Sequence, residues 1–171
     1  MPRFVAFLRG INVGGHHQIR MPDLKASFEA LGFEDVKTIL QTGNVVFSTA
    51  ETDSLSLKPT LEAGLSSRFN YDAKVIVRSY DDVRAIAQAM PFPPAEDKHN
   101  YVVFLDTPDL AESLLQTPMD GDVEALASGD GVVYWRVDRG MTLKSAVAKQ
   151  LAKSSFKAHN TVRNVKTLLK L

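Results

Sequence analysis

The stretch Val36-Lys37-Thr38-Ile39-Leu40-Gln41-Thr42-Gly43-Asn44-Val45-Val46-Phe47-Ser48 decides the fold class. Val36–Gln41 and Asn44–Ser48 are short runs rich in β-branched and aromatic residues, and Thr42-Gly43 separates them. A glycine at that point supplies the positive φ of a tight hairpin, so the stretch predicts two antiparallel strands. Helical patterns stand on both sides of it. Upstream, Pro22 suits a first helical turn, and Leu24, Phe28 and Leu31 follow at i, i+4 and i+7. Downstream, Leu57, Leu61, Leu65 and Phe69 recur at helical spacing, with Lys58 and Glu62 paired at i, i+4 on another face. Phe4–Arg9 and Ala73–Arg78 read as the outer strands of this set. The nearly unbroken apolar run of the first predicts a buried central strand. The order βαββαβ is that of the split βαβ, or ferredoxin-like, unit.

The second half follows a related order. Ser79-Tyr80-Asp81-Asp82 has the form of a capping box for a helix ending near Met90. Pro91-Phe92-Pro93-Pro94-Ala95-Glu96-Asp97-Lys98 then forbids regular structure and reads as a linker. Tyr101–Leu105 is a strand, and Thr107-Pro108 starts a helix that runs to about Gln116. Val123–Ala127 and Val132–Val137 flank Gly129-Asp130-Gly131 as a second hairpin. A helix from Leu143 to Lys153 would align Leu143, Val147 and Leu151, and a last helix would begin near Thr161. This half reads βαββαα, as if its final strand had been replaced by a helix. The expectation is an α+β protein of two ferredoxin-like βαββα halves related by an internal structural repeat. Residues 1–90 form the first half, 91–98 the linker and 99–171 the second half.

Composition limits what the chain can do. Of its 171 residues 44% are hydrophobic and 23% charged, which is enough apolar surface to build a core and excludes global disorder. No run approaches the roughly 18 apolar residues that a membrane span needs. Phe4–Leu8 is apolar, but Arg9 and a glycine-rich turn follow it in place of a secretory cleavage site, so a cytoplasmic address is expected. With no cysteine, disulfides, thiol catalysis and cysteine-held metals are impossible. His16, His17, His99 and His159 have no metal-ligand spacing. No metal and no cofactor are expected.

The 20 bases and 20 acids cancel in sum but not in place. Residues 100–135 hold seven acids and no base, whereas residues 139–171 hold eight bases and no acid. Either these segments neutralise one another or face water, or the basic tail and first loop make a cationic surface that attracts phosphates.

Three segments could carry binding. Arg9-Gly10-Ile11-Asn12-Val13-Gly14-Gly15 follows a strand and precedes a helix. Glycines there let the backbone approach a ligand, and N–H groups near a helix start favour anions. The segment is neither nucleotide fingerprint. Gln41-Thr42-Gly43-Asn44 is a polar hairpin tip, which either binds a ligand or only satisfies the turn. At the end of the chain, Arg163, Lys166 and Lys170 would form one face of a helix whose other face is Val162, Val165, Leu168 and Leu169. That face, with Asn164, is either solvated or a phosphate or nucleic-acid contact strip. Tyr101, Tyr134 and Trp135 could stack bases, but no RNP1-like segment accompanies them, so core packing is expected.

Phe7-Leu8-Arg9-Gly10-Ile11-Asn12-Val13-Gly14-Gly15, then Met21 with Asp23-Leu24, then Leu40-Gln41-Thr42-Gly43-Asn44-Val45-Val46-Phe47 resemble the hallmark segments of domain-of-unknown-function family 1697. The ending Thr161-Val162-Arg163-Asn164-Val165-Lys166-Thr167 is similar to that family's closing T-x-R-N-W-x-T. Thr42 stands where serine is usual. Val165 stands where tryptophan is usual, so no aromatic stacking role carries over. The resemblance implies an α+β fold with ferredoxin-like halves, and no activity, substrate or cofactor.

Together these readings point to a binding module with an anion- or phosphate-binding face. Its residues would be Arg9, Gly10, Asn12, Gly14, Gly15, Gln41, Gly43, Asn44, Arg163 and Asn164. The partner would be a small anionic ligand or nucleic acid, without a membrane. The rival is an enzyme on a small anionic substrate, against which stands the lack of a nucleophile or base in these motifs.

Overall fold

A computed structural model describes residues 1–12, 15 and 17–171. The chain divides into one unit made of Met1–Arg84 with Lys170–Leu171, and a second made of Ala85–Leu169.

The first unit runs β1 (Arg3–Leu8), α1 (Met21–Ala30), β2 (Glu34–Ile39), β3 (Asn44–Ser48), α2 (Ser54–Phe69) and β4 (Val75–Ser79). Its sheet has the order β2-β3-β1-β4, and every neighbouring pair is antiparallel. β1 is central and Phe4–Leu8 are all buried, as an apolar run without alternation requires. One face of the sheet, Phe4, Ala6, Leu8, Val45, Phe47 and Val75, packs with Leu24 and Phe28 of α1 and Leu57, Leu61 and Leu65 of α2. Those helical residues are the ones that the i, i+4 spacing aligned. Two polar devices fix the ends of α2. Asp53 accepts from the Leu55 N–H at its start, and Asn70 closes it in the left-handed region.

Helix α3 (Tyr80–Gln88) begins in the first unit and ends in the second. The Asp82 N–H donates to Ser79 Oγ at 3.1 Å, as a capping box would have it.

The second unit runs β5 (Lys98–Leu105), α4 (Pro108–Leu115), β6 (Glu124–Ser128), β7 (Val132–Asp138), α5 (Ala146–Leu151), α6 (Ser154–Lys157), β8 (Asn160–Asn164) and α7 (Val165–Leu168). Its sheet order β6-β7-β5-β8 repeats that of the first unit, again antiparallel throughout. The two halves are similar and the class is α+β. Trp135 and Tyr134 are buried, so core packing accounts for them. Glu124 is buried too, and its carboxylate takes the Trp135 indole N–H at 2.9 Å and the Ala146 N–H at 2.9 Å. One carboxylate thereby ties β6 to β7 and to the first turn of α5.

Two expectations for this half are overturned. The last helix does not begin near Thr161; residues Asn160–Asn164 are β8, paired with β5 so that Thr161 faces Phe104 and Arg163 faces Val102. Thr161 and Val162 are β-branched and favour a strand, and β5 offers an open ladder edge. Asn164 then caps α7 by accepting from the Lys166 N–H at 2.9 Å, which starts the helix later. This half therefore reads βαββα followed by a strand, and the cationic helical face does not exist, because Arg163 is buried on that strand. Leu143 is not a core position either. Ser145 caps α5, its Oγ accepting from Ala148 N–H, which leaves Leu143 ahead of the helix and 88% exposed.

No helix among the described residues is long and apolar enough to cross a membrane.

Candidate functional site

The first unit spends residues 9–20 on the connection from β1 to α1, whereas the equivalent connection in the second unit, from β5 to α4, takes only residues 106–107. Two residues therefore suffice to join such elements in this fold. The excess is where a function is to be sought.

The longer connection is anchored at its base. Leu8 N–H donates to Gly43 O at 2.8 Å and Arg9 N–H to Lys74 O at 3.0 Å. Ile11 and Ile19 are buried and pin the loop to the core below. Gly10 and Gly15 have φ of +66° and +77°, Asn12 has +54° and His17 +48°, so among the described residues of the connection the backbone turns through the left-handed region four times. Asparagine tolerates that region because its short amide can bond locally, and Asn12 does so fully. Its Oδ1 accepts from Ile19 N–H at 2.8 Å, and its Nδ2 donates to Ile19 O at 3.0 Å and to Gln41 O at 2.8 Å. One side chain thus closes the loop on itself and fastens it to the hairpin tip. The glycine-rich segment and the hairpin tip are brought together; Asn12 and Gln41 touch.

Asn12→Ala removes three hydrogen bonds, and at about 0.5–1.5 kcal/mol each the loss is expected to reach about 1.5–4.5 kcal/mol. Chemical denaturation would measure it, and faster amide exchange at Ile19 would locate it.

Around this staple lies a groove of about 340 Å³, lined by Asn12, Gln18, Ile19, Arg20, Met21, Pro22 and Gln41. Gln18, Arg20 and Gln41 are exposed. Arg20 occupies the N-cap of α1 without a side-chain cap bond, and Pro22 in the first turn has no N–H to satisfy. Asp23 stands in the same first turn, which leaves the Arg20 guanidinium as the group that gives the groove its positive charge. Next to the loop, the His17 ring lies 5.0 Å from that of Tyr71, whose phenol is pushed up to about 12 by burial.

The other expected site residues have different placements. Asn44 is fully buried, donating from Nδ2 to Ile39 O at 2.8 Å and to Thr42 Oγ1 at 3.0 Å, so it holds the hairpin closed. Gly43, at φ +90°, sits where a Cβ would lie 2.8 Å from Leu8 Cβ. Arg9 is half-buried at the loop's base. Gly14 lies outside the described residues. Arg163 and Asn164 belong to the second unit, where Arg163 donates to Thr161 Oγ1 at 2.6 Å and to Val162 O at 3.0 Å.

Gln18 is the polar groove residue that the motifs missed; Arg20 is legible in the sequence as the cation that shares this loop with Arg9 and Asn12.

Compared with known proteins, the chain is similar to conserved bacterial protein SP0830 from Streptococcus pneumoniae, a solved structure. The two share 25% identity and superpose with a TM-score of 0.80 over 99% of this chain and 96% of that one. No curated protein matches the sequence. The model of the family described as "Protein of unknown function (DUF1697)" matches residues 1–134, which include both the glycine-rich connection and the hairpin tip. With most of its length matched, the chain belongs to the DUF1697 family.

Proposed function

We propose that the protein binds a small anionic, phosphate-bearing ligand in the groove beside the β1–α1 connection. The observation that carries this reading is the Arg20 guanidinium at the uncapped start of α1, facing a groove whose other polar groups are the Asn12, Gln18 and Gln41 amides. The Gln18 and Gln41 amides and the guanidinium bind and orient an oxyanion, while both Asn12 N–H donors are already taken by Ile19 O and Gln41 O, and none of these groups is a ready nucleophile or general base. Binding therefore fits these groups better than proton transfer. Gly10 and Gly15 contribute backbone at positive φ, where no side chain intrudes on an approaching ligand. Gln41 comes from the hairpin, and Asn12 sets its position through the Gln41 carbonyl. Arg9 remains in this reading as a cation at the loop's base.

Thermal unfolding in inorganic phosphate tests it. A ligand at a hundredfold over its Kd stabilises by about 2.7 kcal/mol, equivalent to several degrees in Tm for a chain of this size. Phosphate also stabilises by exclusion from the surface, so the decisive quantity is the difference between wild type and Arg20→Ala. The wild type is expected to gain several degrees more than Arg20→Ala. Equal gains in both would sink the reading. A nucleic acid would offer the same phosphate chemistry to Arg20, and its binding would weaken steeply with salt.

A further inference from the structure

We infer that the second unit carries a binding cleft for a small carboxylate that has an apolar body, formed by His99, Asn100, Arg139, Asn164 and Lys166. The cleft is about 320 Å³, and all its lining residues belong to that unit. It is placed by the sheet. β5 is flanked by β7 and β8, both antiparallel to it, so Lys98 at the start of β5 meets Asp138 at the end of β7, while Tyr101 meets Asn164 at the end of β8. The residues just beyond those strands, Arg139 and Lys166, are therefore gathered around the start of β5. Three strand ends give the side chains a rigid base.

The charges in the cleft do not cancel. Lys98 is bonded to the Asp138 carboxylate and makes a neutral pair. Arg139 and Lys166 are exposed, and neither has an ion-pair partner among the described residues. Arg139 uses Nε on the Glu96 carbonyl, which leaves its Nη groups to donate. The Glu96 carboxylate is the one acid opposing these two cations along the lining. The balance suits a single negative charge and is too small for a polyphosphate.

The remaining lining is apolar. Pro94 and Val165 belong to it, together with Leu169, a large hydrophobic side chain left 60% exposed. The His99 ring lies 5.5 Å from that of Tyr101, and its pKa is lowered from 6.5 by burial first, then by the charges of Arg139 and Lys166. At neutral pH the imidazole is therefore uncharged and adds an amphipathic surface. Asn100 stiffens the lining. It is 8% exposed, and its Nδ2 donates to Phe92 O at 3.0 Å and Pro93 O at 3.3 Å, which fixes the orientation of the amide. Its Oδ1 is buried and closed to solvent, so it meets no ligand group, and the selectivity of the cleft rests on its charge and its apolar wall.

Titrating the full chain with benzoate and phenol, followed by NMR, tests this assignment. Benzoate has both features and phenol lacks the charge. Saturable shifts centred on His99, Asn100, Asn164 and Lys166 are expected, with Kd on the order of 1 mM for benzoate and weaker binding of phenol. Arg139→Ala and Lys166→Ala should each raise Kd by about fivefold, as loss of an exposed charge partner does. Bound carboxylate should also raise the His99 pKa, since it offsets Arg139 and Lys166 while Lys98, Glu96 and Tyr101 remain around the ring. No saturable shift up to about 20 mM, binding unchanged in both variants, or phenol binding as well as benzoate would overturn the proposal. Because no residue of the Arg20 groove is involved, the result is independent of the reading for the first unit.

Discussion

Phe28→Ala is expected to destabilise the protein by about 3–5 kcal/mol, through lost burial and the cavity left behind. Phe28 is fully buried on the core face of α1. Its ring lies 5.4 Å from that of Phe47 on β3 and 6.1 Å from that of Phe33, and Phe33 and Phe47 are themselves 4.8 Å apart. Three rings from a helix, the turn after it and a strand thus share one contact, so truncating one leaves the other two facing a void. Leu24 of α1 and Leu61 of α2 belong to the same core and are held by their helices, which limits how far the hole can collapse. Denaturant titration gives the value directly. A loss below about 1 kcal/mol would mean that the α1 stripe does not bear on this core.

Gly43→Ala is the second large effect, and its cause is backbone geometry. Gly43 has φ +90°, which an L side chain rarely adopts. An added Cβ would lie 2.8 Å from Leu8 Cβ, 3.1 Å from Ile11 Cδ1 and 3.3 Å from Leu8 O. The Gly43 carbonyl also accepts from Leu8 N–H at 2.8 Å, so the hairpin tip cannot withdraw without breaking that bond. Strain of about 1–3 kcal/mol in the backbone and a similar cost of overpacking give an expected loss of about 2–6 kcal/mol. Because the clash pushes on Leu8 and Ile11, which carry the glycine-rich connection, phosphate binding should weaken as well. Gly43→Ala with wild-type stability would show that the tip can relax away from β1.

Much of the architecture was legible because local and tertiary preferences agree. The strand Asn44–Ser48 follows its glycine as the turn rule requires, and the unbroken run Phe4–Leu8 is the central strand that its lack of alternation implies. The C-terminal segment was misread because Thr161–Leu169 carries apolar residues at spacings that fit a helix as well as a strand followed by a short helix. The free edge of β5, which decides the matter, is not a local property. Asn164 was the overlooked signal, a helix cap placed inside the supposed helix.

The candidate site divides in the same way. Asn12 stands out in sequence as the polar residue of a glycine-rich loop, but its partners Ile19 and Gln41 are 7 and 29 positions away and only the fold supplies them. Asn44 looks equally exposed at a hairpin tip, yet its amide is turned inward on Ile39 and Thr42. His99, Asn100, Arg139 and Lys166 form no motif, because the ends of separate strands bring them together.

The anion site proposed at the long β1–α1 connection depends on Arg20, and an amide-resolved NMR titration of the full chain with inorganic phosphate probes it residue by residue. Saturable shifts are expected at Asn12, Gln18, Arg20, Met21 and Gln41, sharply reduced in Arg20→Ala. Shifts scattered over the surface, or a wild-type pattern that persists in Arg20→Ala, would rule the site out.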